Sequence, residues 1–147
     1  MKILIIVIGL VFLFAACKKE EVMPATPEIS LLSVSTQSVV QFTDRVSLRF
    51  AYKDGDGDLG QVDPDDYTLW VKDARLNTAD GYHIPPLAPE GEAVPIQGEL
   101  TMELNALFLL GNSTQEETTY TVYLTDRAGN SSNTFVTGAI IILQDSI

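Results

Sequence analysis

The residues from Asp54 to Asp66, Asp-Gly-Asp-Gly-Asp-Leu-Gly-Gln-Val-Asp-Pro-Asp-Asp, place six carboxylates within 13 positions. Carboxylates this close repel one another unless solvent or a cation screens them. A calcium ion takes about six to eight hard oxygens, and aspartates at alternate positions of a bent loop can aim them inward. The interleaved glycines permit the left-handed backbone angles such a bend needs. The pattern is not an EF-hand. With Asp54, Asp56 and Asp58 at its first, third and fifth places, the sixth is Leu59 instead of Gly, and the twelfth is Asp65 instead of Glu. Two readings follow: a Ca²⁺ site drawing on Asp54, Asp56, Asp58, Asp63 and Asp65, or a solvated acidic turn.

The elements that must hold this turn are short strands. Val46, Leu48, Phe50 and Tyr52 fall on one face of an alternating run. Tyr67–Lys72, Leu100–Leu104 and Tyr120–Thr125 alternate in the same way. Period-two patterning with β-branched and aromatic residues marks half-buried strands. Strands are expected at 28–35, 46–52, 67–72, 98–104, 119–126 and 134–143, with a poorly defined one near 82–84. Pro85, Pro86, Pro89 and Pro95 make 82–97 a loop or ragged edge. The apolar stretch Asn105–Leu110 reads as a buried helical turn. About seven short strands with turn chemistry between them predict an all-β domain, a β-sandwich.

Upstream, the run from Ile3 to Ala16 is uncharged, follows Lys2 and ends in small residues. That is a signal-peptide pattern, too short for a typical spanning helix. Phe14-Ala15-Ala16-Cys17 resembles the lipobox of bacterial lipoproteins, with Phe14 where Leu is usual. The resemblance implies cleavage before Cys17 and lipidation of its thiol. The organisation is then signal peptide 1–16, lipidated cysteine and tether 17–27, and domain 28–147. Lys18-Lys19-Glu20-Glu21 resembles the sorting signal of surface lipoproteins of Bacteroidota, and reads equally as a solvated tether. Pro24 and Pro27 keep that tether extended.

Cys17 is the one cysteine, so the domain beyond it can form neither disulfides nor thiolate sites. The net charge of −11 excludes nucleic acid as a partner, because phosphate contacts need clustered Lys and Arg.

Thr118-Thr119-Tyr120-Thr121-Val122-Tyr123-Leu124 resembles strand F of immunoglobulin-like and fibronectin type III domains, which implies a tyrosine corner at Tyr120. Asp126-Arg127-Ala128-Gly129-Asn130-Ser131-Ser132-Asn133 resembles the F–G turn of bacterial immunoglobulin-like domains. With the leader and the Asp-Gly-Asp-Gly-Asp turn, the chain is similar to uncharacterised lipoproteins of Bacteroidota. The resemblance implies an immunoglobulin-like β-sandwich and an outer-membrane address, and no activity. In such a sandwich the B–C loop, here the acidic turn, and the F–G loop share one end. Asp126 would then add a carboxylate from a second loop, with Asn130 or a backbone carbonyl completing the shell. Ca²⁺ held there would stiffen the junction with the tether near Glu28. Alternatively, Arg127 pairs with an aspartate and neutralises the end without metal.

Alternation places Trp70 with Thr68 and Lys72, opposite Tyr67, Leu69 and Val71, and turns Tyr123 outward. Trp70 and Tyr123 would then form an exposed aromatic patch able to stack on a glycan or anchor a partner protein. The usual burial of tryptophan favours the alternative, a shift that turns Trp70 into the core. His83, the one histidine, lacks the partners for a triad and is expected at an edge. The chain is read as a non-enzymatic, lipid-anchored outer-membrane module facing outside, braced by Ca²⁺. The alternative is a glycan- or protein-binding accessory lipoprotein using Trp70 and Tyr123.

Overall fold

The computed structural model describes residues 22–89 and 91–145. The leader, Cys17 and Lys18–Glu21 lie outside the described residues. Ten strands follow one another: β1 Glu28–Val34, β2 Ser38–Val40, β3 Ser47–Asp54, β4 Leu69–Asp73, β5 Asp80–Tyr82, β6 Ile96–Glu103, β7 Gln115–Thr118, β8 Tyr120–Leu124, β9 Phe135–Val136 and β10 Ile140–Leu143. The described residues are all-β, and none of their helices is long and apolar enough to cross a membrane.

Three sheets enclose one core. The first is ordered β1-β3-β6, the second β5-β4-β8-β9 and the third β2-β10-β7. All pairings are antiparallel except β2 with β10. The first two sheets turn their alternate residues toward each other, in a sandwich-like layering. Leu48 and Phe50 of β3 meet Leu69 and Val71 of β4 and Val122 and Leu124 of β8. Ile140 and Ile142 extend the same cluster from the third sheet. Phe50 is fully buried and its ring tilts against Phe135 at 5.7 Å. Burial of one such side chain contributes about 1.5–3 kcal/mol.

The alternation of β3 has a further effect. Leu48, Phe50 and Tyr52 lean inward, and the same period carries Asp54 onto the inner face at the strand's end. A carboxylate is thereby driven into the protein at the point where the acidic turn begins.

The first strand is tied to the F–G turn. Asn133 accepts the Ile29 N–H on Oδ1 and donates Nδ2 to the Ile29 carbonyl, both at 2.8 Å. A register shift between Leu31 and Ser33 bends the same strand against β3.

Several expectations are corrected. Residues 105–110 form no helix: Leu107 is buried, while Phe108 and Leu110 are exposed. Glu116 accepts the N–H groups of Leu110 and Gly111, and Gln41 that of Leu109, so the segment spends its donors on side chains instead of on a helical turn. The strand expected near 82–84 lies at 80–82 and pairs with β4. The Tyr120 hydroxyl donates to Asp73 on β4, at 3.2 Å, and so does not form the corner bond to nearby backbone. Strands β2 and β7 were not foreseen.

Candidate metal centre

Asp54, Asp56 and Asp58 converge at the end of β3. One carboxylate oxygen from each lies within 4.8 Å of the others. Two oxygens that each sit about 2.4 Å from a shared calcium ion are at most about 4.8 Å apart, so the spacing suits one ion.

Each aspartate keeps one oxygen, Oδ1, buried and without a hydrogen-bond donor. Asp54 is 0% exposed. Its Oδ2 accepts the Asp58 N–H at 2.9 Å, and its Oδ1 accepts nothing. Asp58 Oδ2 accepts the Ala128 N–H at 2.9 Å. Buried polar oxygens are nearly always paired, because stripping water from them is costly. Three buried oxygens, one on each aspartate, thus lack a hydrogen-bond donor.

The electrostatics agree. Burial, reinforced by the charges of Asp56 and Asp58, pushes the Asp54 carboxyl up to about 6. Burial and then the Asp126 charge raise Asp58 as well. The site resists negative charge in the absence of a cation.

The F–G turn is the second wall. Arg127 and Ala128 give their N–H groups to the Asp58 carbonyl and carboxylate. Asp126 is buried beside them, its two oxygens held by the N–H and side-chain amide of Asn130 at 2.7 Å each. It adds charge to the site while its carboxylate is already partnered. Arg127 sends its guanidinium to the Gly60 carbonyl at 3.1 Å. Among the described residues it makes no ion pair with an aspartate, and its charge only partly offsets the rise of the Asp58 carboxyl.

Asp63 and Asp65 stand outside the group. Both are exposed, and Asp63 Oδ1 caps the Asp65 N–H at 3.0 Å. Two contacts were not foreseen. Gly55 donates its N–H to the Pro24 carbonyl at 2.9 Å. A Cβ on Gly55 would strike the Met23 and Pro24 carbonyls, and one on Gly57, whose φ is 72°, would strike that of Val94. Nothing local in the sequence signals partners so far along the chain.

The aromatic residues form a row on the outer face of the second sheet. Trp70 stacks on Tyr123 with centroids 6.4 Å apart and planes 17° apart. Tyr67 meets Trp70 edge-on at 6.5 Å. The β4–β8 register runs unbroken from Leu69 to Asp73, so no shift turns Trp70 inward. The expectation of a core tryptophan is overturned: Trp70 is half-buried outside the core, with Nε1 donating to Thr125 Oγ1 at 3.2 Å. Tyr67, expected on the strand face opposite Trp70, is 49% exposed. His83 places Nδ1 3.2 Å from the Asp66 carbonyl.

A second polar cluster, at the opposite end, escaped sequence reasoning. Asp73 accepts bonds from Arg75, Thr118 and Tyr120. Arg75 also reaches Glu116 at 2.7 Å and the Phe108 carbonyl at 3.0 Å. Burial alone would raise Asp73, but the hydrogen bonds from Arg75 and Thr118 outweigh it and hold the carboxyl low. Comparison with protein-family models, curated proteins and solved structures finds no match to this chain.

Proposed function

We propose that the chain is a non-enzymatic binding or structural module, lipid-anchored through Cys17 at the outer membrane, whose acidic turn and F–G turn are braced by Ca²⁺. One observation carries the metal reading: Asp54 is wholly buried, with an oxygen that no donor satisfies, beside two more such oxygens. The immunoglobulin-like reading of the sandwich is supported by the sheet orders β1-β3-β6 and β5-β4-β8-β9. It is further supported by β7 and β8 being one run interrupted only at Thr119. The anchor rests on the sequence of the leader.

Thermal melting of the full chain in detergent tests the metal. A ligand at about 100 times its dissociation constant adds roughly 2.7 kcal/mol, which is several degrees for a domain of this size. Ca²⁺ should raise Tm over EDTA, Mg²⁺ should do so less, and Asp54→Asn should abolish the gain. An unchanged Tm in millimolar Ca²⁺ refutes the reading.

A second reading is favoured by the row Tyr67–Trp70–Tyr123. The exposed Tyr67 ring and the half-buried Trp70 and Tyr123 rings offer flat apolar faces to a glycan or a partner protein. Titration with oligosaccharides should shift Trp70 fluorescence, and a panel without any shift counts against this surface.

A further inference from the structure

We infer that the metal centre is also the clasp of the tether: a cation at Asp54, Asp56 and Asp58 docks residues 22–27 onto the domain, and the docked tether in turn tightens cation binding. The inference rests on the Ca²⁺ reading above. It begins from Gly55, which lies between the first two aspartates of the group.

Gly55 binds the tether directly, its N–H donating to the Pro24 carbonyl at 2.9 Å. The tether backbone passes so close that any side chain at position 55 would collide with the Met23 and Pro24 carbonyls. From there the chain stays attached. Pro27 is fully buried, and Ile29 is held at both its N–H and its carbonyl by Asn133. Val22 and the segment from Pro24 to Thr26 are otherwise exposed. Among the described residues, the Pro24 contact is thus the outermost point at which the tether is fastened.

The sign of the coupling follows from charge. A docked tether brings the negative ends of two carbonyl dipoles next to a turn that already holds buried carboxylates. Without a cation the carboxylates flanking Gly55 repel one another; a cation holds closed the turn that presents the Gly55 N–H to the Pro24 carbonyl. The wholly buried and unpartnered Asp54 oxygen marks where that positive charge is missing. The cation therefore favours the docked state, and linkage requires docking to raise cation affinity by the same factor. Such couplings typically amount to about 5–150-fold.

The test combines two measurements on the full chain in detergent. Calorimetric titration with CaCl₂ reads the cation. Hydrogen exchange at the Gly55 amide, whose N–H the Pro24 carbonyl accepts, reads the tether. Ca²⁺ should bind and should slow this amide at least fivefold relative to EDTA. Gly55→Ala should leave the amide at position 55 fast in both conditions and weaken Ca²⁺ at least fivefold, with Trp70 fluorescence confirming the fold. If Gly55→Ala does not fold, Pro24→Gly, which loosens the tether alone, should weaken Ca²⁺ in the same direction. Binding of Ca²⁺ with unchanged tether exchange overturns the clasp and leaves the metal reading standing. Absence of Ca²⁺ binding overturns both. Unchanged affinity in a folded variant overturns the clasp.

Discussion

Asp58 donates its backbone N–H to Asp54 Oδ2 at 2.9 Å, closing the acidic turn on itself while the Oδ1 atoms of both residues stay buried and unpaired. The turn is therefore folded by one half of each carboxylate and left unsatisfied at the other. This division makes its metal-free state sensitive to protons.

Asp54 titrates at about 6 in the folded protein, against 3.8 for the ordinary group. Between those values the folded state keeps a proton that the unfolded chain has lost. Its stability contribution is thus present at low pH and is lost as pH rises through that window. Asp58 shifts in the same direction. In EDTA, Tm should fall as pH rises from about 4.5 to 7, an effect on the order of 2 kcal/mol. Asp56 and Asp58 oppose the charge on Asp54, while Asp126 opposes and Arg127 favours that on Asp58, so saturating Ca²⁺ should flatten or reverse the slope. Tm measured against pH in both conditions checks this.

Asp54→Asn should change sign with the buffer. In EDTA at pH 7 it removes a buried like charge and should stabilise the fold by about 1 kcal/mol. In Ca²⁺ it removes a ligand, and the variant should melt below the parent. Equal melting shifts in both buffers would contradict a metal at this position.

Arg75 carries the opposite end. Arg75→Met strands the Asp73 carboxylate within the protein and should cost about 3–5 kcal/mol in urea denaturation. Arg75→Lys should recover only part of that, because one ammonium cannot reach Asp73, Glu116 and the Phe108 carbonyl together. Asp73 is held low, so its contribution is present above the ordinary carboxylate range and is lost as pH falls through its folded value. The two ends thus respond oppositely to acid.

Phe50→Ala should cost about 3–5 kcal/mol, as a large side chain removed from a packed core. Trp70→Ala should cost clearly less, because Trp70 packs on Tyr123 outside that core. Acrylamide should quench Trp70 fluorescence readily. A cost equal to that of Phe50→Ala would contradict the outer-face placement.

Cys17→Ser should abolish lipid attachment, seen as loss of the acyl mass and of partitioning into the detergent phase of Triton X-114.

The alternating runs were legible because each strand's apolar set faces one shared core: Leu48 and Phe50, Leu69 and Val71, and Val122 and Leu124 all lie where period two puts them. The burial of Asp54 was not foreseen, because the strand was expected to end at residue 52 and instead continues to Asp54. Strands β2 and β7 were not, since Ser38–Val40 and the polar Gln115–Thr118 are short and join the sheet through β10. The three-aspartate group was visible in its spacing. Its neighbours were not: Pro24 and Val94 meet the turn through backbone carbonyls, which carry no residue code. Trp70 was misjudged because the average burial of tryptophan was set against an alternation that proved correct.

The paired bonds between Asn133 and Ile29 have a consequence for solubility. A strand at the margin of a sheet exposes backbone donors and acceptors on which another chain can build. The Asn133 amide occupies both groups of Ile29 as a neighbouring strand would, and the irregularity at Leu31–Ser33 bends the strand just beyond it. One side chain and one kink thus blunt the border of β1 against strand-to-strand assembly. Wherever copies of the chain meet often, that border would otherwise be a template for aggregation.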